Sequence, residues 1–105
     1  MLAKATGKQV DFLMRLHSRS EQHYQDWING DERERLIQQE STLQTPIAQF
    51  DWFKRFVSHP ENETLTECLE AGWIERWPMV PPRYAITGPG STQFRPPKAD
   101  NDEHA

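Results

Sequence analysis

The run Leu65-Thr66-Glu67-Cys68-Leu69-Glu70-Ala71-Gly72-Trp73-Ile74-Glu75-Arg76-Trp77, followed past Pro78 to Pro82 by Arg83-Tyr84-Ala85-Ile86-Thr87-Gly88-Pro89-Gly90, decides the fold. Leu65, Cys68 and Leu69 fall at i, i+3 and i+4, a spacing that puts them on one side of a helix. Asn62 or Thr64 can cap its free amides, and Thr64 with Glu67 has the Thr-x-x-Glu form of a capping box. Gly72 sits where that helix must stop, able to take the positive φ that reverses the chain. Beyond it, Trp73 to Trp77 is β-prone, Pro78 to Pro82 is a turn, and Arg83 to Thr87 alternates polar and apolar as a half-buried strand does. The pattern predicts a helix backed by a hairpin, with Ile74, Tyr84 and Ile86 on the covered face. Thr87 and Gly90 are expected to end the second strand, one by a local hydroxyl bond and the other by backbone freedom.

Upstream of this unit, Ile47, Phe50, Phe53 and Val57 repeat at helical spacing with Trp52 and Phe56 on a flank, which predicts a helix over about 46–58. Thr45-Pro46 supplies its start, and Ser58-His59-Pro60 its end, because the residue before a proline avoids helical geometry. Gln38 to Gln44 is a connection. Asp31 with Glu34 forms a capping-box variant opening a short helix that bears Arg33, Arg35, Leu36 and Ile37. A longer first helix carries Val10, Leu13, Met14 and His17 at i, i+3, i+4 and i+7, widened by Phe12 and Leu16, and continues through Tyr24, Trp27 and Ile28 to a stop at Asn29-Gly30. Residues 1–8 are expected to be a flexible lead-in, 9–94 a single domain with Phe94 folding back onto its core, and 95–105, polar and containing Pro96-Pro97, a disordered tail.

The chain has 105 residues, 35% of them hydrophobic, which allows one domain with a modest core and makes a deep enclosed active site hard to build. A single cysteine cannot form an internal disulfide, and the N-terminus lacks a basic stretch followed by an apolar run, so a cytoplasmic setting is expected. No apolar stretch reaches the ~18–20 residues of a bilayer crossing. The net charge of −4 is unevenly placed: residues 1–60 balance eight Lys/Arg with eight Asp/Glu, whereas 61–105 hold four against eight. A nucleic-acid binder shows the opposite bias, because cations neutralising phosphates supply most non-specific affinity.

The segment from Leu65 to Gly90 resembles the end of a winged-helix domain, in which a third helix stops at a small residue and Gly, an aliphatic strand and a variable wing follow, and a strand of the form Tyr-x-Ile/Leu-Thr-x-x-Gly returns. Tyr84-Ala85-Ile86-Thr87-Gly88-Pro89-Gly90 carries that last element, and the likeness covers about 26 of the 105 residues. It implies a mainly α fold with a small β-hairpin, winged-helix-like, with three to four helices and a two-stranded wing. It also puts the helix at about 63–71 in the recognition position, behind the helix at about 46–58. Here the sequence departs from the DNA-reading pattern: that region offers Glu61, Glu63, Glu67 and Glu70 and no Lys, Arg or Gln, whereas base and phosphate contacts favour such side chains. Arg76 and Arg83 are thin equipment for gripping a phosphate backbone.

His17, His23, His59 and His104 form no i, i+4 pair or Cys/His array, so no metal or other cofactor is expected. Cys68, on the face of Leu65, reads as a small core residue rather than a nucleophile. The mixed-charge run Asp31 to Arg35 reads as a solvated helix face, and Lys54 and Arg55 as solvent-facing, able to form a small positive patch with Arg15 and Arg19. Trp52 and Trp73 are expected in the core. Trp77, projecting opposite Ile74 beside Pro78, Met79, Val80 and Pro81, is expected at the surface as an apolar contact point.

The function this predicts is a non-enzymatic binding module that regulates or inhibits a protein partner through Glu63, Glu67, Glu70, Arg76, Trp77, Met79 and Arg83. Acidic helices mimic phosphate arrays, so an enzyme that handles nucleic acid is among the fitting partners. The alternative is a DNA-binding winged-helix transcriptional regulator, to which the acidic third helix is unfavourable. No glycine-rich phosphate loop, nucleophile elbow or paired catalytic carboxylates point to an enzyme.

Overall fold

The computed structural model describes residues 4–39, 42 and 44–94, and the expected tail lies outside them. The chain runs α1 (Gly7–Ile28), α2 (Asp31–Gln38), α3 (Ile47–Phe53), β1 (Val57–Ser58), α4 (Glu63–Glu70), β2 (Ile74–Trp77), β3 (Arg83–Ile86) and α5 (Gly88–Ser91). It is mainly helical, with one small antiparallel sheet of order β1-β3-β2.

The first helix starts earlier than expected because Thr6 closes a capping box with Gln9: the threonine side chain accepts the Gln9 amide, and the Gln9 side chain accepts the Thr6 amide. Nε2 of Gln9 then donates to Glu67 at 2.9 Å, tying this end of α1 to α4. The buried stripe is also rotated from the one predicted. Phe12, Leu13, Leu16, Ser20 and Trp27 are inside, whereas Met14 is 50% exposed. Ser20 is buried without penalty because its hydroxyl donates to the Arg55 carbonyl at 2.6 Å, so a polar residue continues the apolar stripe.

Capping elsewhere keeps one expected cap, Asn62, and departs from the other predicted motifs. Gly30, not Asp31, precedes the first turn of α2, and Pro46 precedes α3, both without a side-chain cap. Asn62 caps α4 through its bond from the Leu65 amide at 2.7 Å. Thr64 is therefore inside the helix and buried, and Glu67 reaches Gln9 instead of closing a box.

The helix predicted over 46–58 ends at Phe53. Val57 and Ser58 leave it to pair with Tyr84 and Arg83, adding a third strand to the expected hairpin. Helical spacing suggested a continuous helix, but two residues that pair along an open sheet edge satisfy their backbone groups equally well and bury Val57 too. Because strand side chains alternate, Phe56 and Val57 are buried on opposite faces of the sheet. One face joins Val57, Tyr84 and Ile74 to Phe12, Leu13 and Leu16 of α1 and Leu65 and Cys68 of α4, and forms the main core. Burying each large apolar side chain there contributes about 1.5–3 kcal/mol. Trp73 belongs to this core as expected, and Phe94 packs against it.

The hairpin register is Ile74↔Ile86, Glu75↔Ala85, Arg76↔Tyr84 and Trp77↔Arg83. Gly72, at φ 80°, makes the reversal before it. At the far corner Thr87 does more than end a strand: its hydroxyl donates to the Gly72 carbonyl at 2.7 Å and accepts the Gly90 amide at 3.1 Å, capping the short α5. Gly90 has no positive φ. What it supplies is space, since its backbone lies directly against the Trp73 carbonyl.

Candidate functional site

The second face of the sheet carries the aromatic surface. Phe56 points there, opposite in sense to Val57, and Trp77 projects to the same side at the end of β2. Trp52 and Phe53 arrive from α3. Trp77 lies edge-on to Trp52, Phe53 and Phe56, with ring centroids 5.2, 5.5 and 5.9 Å away. Edge-to-face contacts of this kind add about 0.5–1.5 kcal/mol each beyond the area they bury. Yet Trp52 is 42% exposed and Trp77 38% exposed. Trp52, expected in the core, is instead half of a surface ledge, because the chain leaves the helix just after it.

A polar clasp fixes that ledge. Asp51, beside Trp52 on α3, accepts the Trp27 indole N–H at 2.7 Å and two bonds from Arg33, each 2.8 Å. Arg33 therefore leaves the solvated role expected of the Asp31-to-Arg35 run and joins α2 to α3, while Trp27 joins both to α1. The Arg33 guanidinium holds the Asp51 carboxyl below the usual range and the Trp27 donor adds to this, against the opposing effect of partial burial. The sign follows: a carboxylate more acidic in the folded chain contributes stability that is complete above its unfolded pKa, about 4, and is lost as pH falls through its lower folded value. Asp51→Asn is expected to be less stable than the parent at pH 7, with the gap closing as pH falls below about 4. Urea unfolding at stepped pH checks this, and a gap that persists unchanged to about pH 2 would refute it.

Two concavities share Trp52 as a wall. On one side an open groove of about 260 Å³ is lined by Thr45, Gln49, Phe50, Trp52, Phe53 and Trp77. On the other a cleft of about 380 Å³ is bounded by α1, the turn after α3 and the hairpin, with His17, Glu21, Trp52, Arg55, Glu75 and Ala85 among its lining residues. Arg55, expected to face solvent, is half-exposed and also engaged: it pairs with Glu21 at 3.0 Å and lies over the Tyr24 ring at 3.8 Å. Lys54 sits over the Trp27 ring at 4.7 Å, Arg15 pairs with Asp11, and Arg19 donates to the Ser58 carbonyl. The four cations are each engaged locally.

The residues singled out from sequence are divided between surfaces. Glu63 and Glu70 are exposed on α4, and Glu67 is half-buried and bonded to Gln9. Since α4 packs on the Tyr84 face while Trp77 projects from the other, these carboxylates and the indole do not make one continuous site. Arg76, opposite Tyr84, is exposed. Arg83 pairs in register with Trp77 and donates to the Phe56 carbonyl at 3.3 Å, serving to hold the aromatic turn. Met79 is half-buried beside the fully projecting Val80. Trp52, Phe50, Phe53, Glu75 and the Asp51 clasp had no sequence signal beyond their composition, since helical spacing assigned the aromatics to a core.

Cys68 is completely buried, and burial, with the Glu67 charge adding, pushes its thiol up to about 11. It is a packing residue. Among the described residues no group of three or more His, Cys, Asp or Glu is placed to hold a metal ion, and no helix is long and apolar enough to cross a membrane. Comparison of the chain with protein-family models, with curated proteins and with solved structures finds no match.

Proposed function

We propose that this chain is a non-enzymatic, protein-binding module of winged-helix type that regulates or inhibits its partner, and that it docks through the Trp52–Trp77 ledge. The observation that carries this reading is two half-exposed indoles packed edge to face at 5.2 Å beside an apolar groove. Exposed tryptophans held rigid lose little entropy on binding and are the side chains most enriched among binding hot spots. The order α4, β2, β3, with Gly72 at the reversal and Thr87 at the far corner, supports the winged-helix element of the proposal. Acidic residues support a protein rather than a nucleic-acid partner: Glu61, Glu63 and Glu70 stand exposed around α4, where a phosphate backbone would be repelled.

The test begins with a photo-crosslinking amino acid at position 77 in cells, which identifies the neighbour, followed by titration of the purified pair. Trp77→Ala is expected to weaken that binding at least about tenfold, while Met14→Ala, at an exposed position that lines neither the groove nor the cleft, leaves it unchanged. Trp77→Phe, which keeps the edge packing, controls for folding. Equal binding by all variants would overturn the docking surface. Saturable binding of duplex DNA that weakens steeply with salt would favour the DNA-binding alternative instead.

A further inference from the structure

Trp52 is a partition, and the spaces on its two sides differ in chemistry. The groove toward Trp77 is lined by three further aromatic rings with only Thr45 and Gln49 as polar neighbours. The cleft toward α1 contains two carboxylates, Glu21 and Glu75. Glu21 is neutralised by Arg55 at 3.0 Å, so the cleft has one compensated charge and one surplus negative charge, Glu75, exposed on β2. His17 also faces this space and Arg55 closes it, but Arg55 is already committed to Glu21 and to the Tyr24 ring.

Resting on the docking reading above, we propose that the ledge recognises an extended partner segment by two side chains: an arginine or lysine in the Glu75 cleft and a large apolar residue in the Phe50–Phe53–Trp77 groove, straddling Trp52. Charge complementarity selects this occupant. A cation entering the cleft meets the surplus carboxylate and the Trp52 indole together, a combination favourable to Arg or Lys and repulsive to phosphate or acidic chains. In an extended segment, alternate side chains on one face lie about 6.5–7 Å apart, the span needed to reach both sides of one indole ring. The cation and the apolar residue are therefore expected two positions apart.

The test uses the full ¹⁵N-labelled chain and capped pentapeptides followed by the indole N–H signals of Trp52 and Trp77. Gly-Arg-Pro-Leu-Gly is the probe. Gly-Glu-Pro-Leu-Gly and Gly-Arg-Pro-Ser-Gly remove one half each. The expected result is saturable movement of both indole signals and of the Glu75 amide with the first peptide, and about five- to tenfold weaker binding of either control. Glu75→Gln, at an exposed position that cannot upset the core, should erase the preference for Arg over Glu and leave the apolar contact. If the Arg and Glu peptides move the Trp77 signal equally, two-part recognition is overturned while the docking ledge stands. If the identified partner binds in a Trp77-dependent way but no peptide moves either indole, the proposal is likewise overturned. Movement on tenfold dilution of the protein alone would put a second copy on the ledge, and movement in the peptide-free double variant Arg95→Ser/Lys98→Ser would put the chain's own C-terminal residues there; either result replaces the proposed occupant.

Discussion

Gly90→Ala is expected to destabilise the chain by about 3 kcal/mol and to lower its thermal midpoint by roughly 10–20 °C. A methyl group at Gly90 would overlap the Trp73 carbonyl oxygen and lie 2.8 Å from its carbonyl carbon. These are backbone atoms, and they cannot swing aside as a side chain would. The same carbonyl accepts the Thr87 amide at 3.0 Å, so relief by moving Trp73 would break the bond that closes the hairpin corner. Gly88→Ala is the control, since a Cβ there meets nothing within 4 Å. Thermal melts of the two variants that coincide would show that Gly90 is not held against Trp73.

Leu13→Ala should cost about 3–4 kcal/mol, the second large effect, because Leu13 is wholly buried between α1, α4 and the sheet. Truncation leaves a cavity bounded by Tyr84, Leu65 and other side chains whose positions are already determined by their own packing. The neighbouring Met14, at 50% exposure, should tolerate alanine within about 0.5 kcal/mol. Urea unfolding separates the two readily. A comparable loss at both positions would mean that α1 is rotated about its axis from the orientation described.

That contrast also shows where the sequence was legible. Period-two alternation from Arg83 to Thr87, a β-prone run after Gly72 and an apolar helix face at Leu65, Cys68 and Leu69 are local signals, and the helix and hairpin they predicted are present. The α1 stripe was misplaced by one step because Ser20, polar in composition, is inside, and its partner Arg55 lies 35 residues away. The two-residue strand β1 has no pattern of its own; its identity is conferred by Tyr84 and Arg83 across the sheet. Trp77 was readable as a surface indole by alternation from Ile74, whereas Trp52 was not, because its exposure depends on α3 ending at Phe53. The Asp51 clasp was invisible for the same reason: Arg33 and Asp51 are 18 residues apart, and nothing local distinguishes them from other surface charges.

The strand order has a consequence for biosynthesis. β3, which pairs with both of its neighbours, is the last strand in sequence. Neither ladder can begin until residues 83–86 have emerged from the ribosome, and a nascent chain halted in the hairpin loop would hold β1 and β2 without a common neighbour and leave the apolar side of α1 facing α4 without its sheet. Helical turns and the Asp51 clasp can form as they are made, but the sheet and the part of the core that rests on it must assemble late.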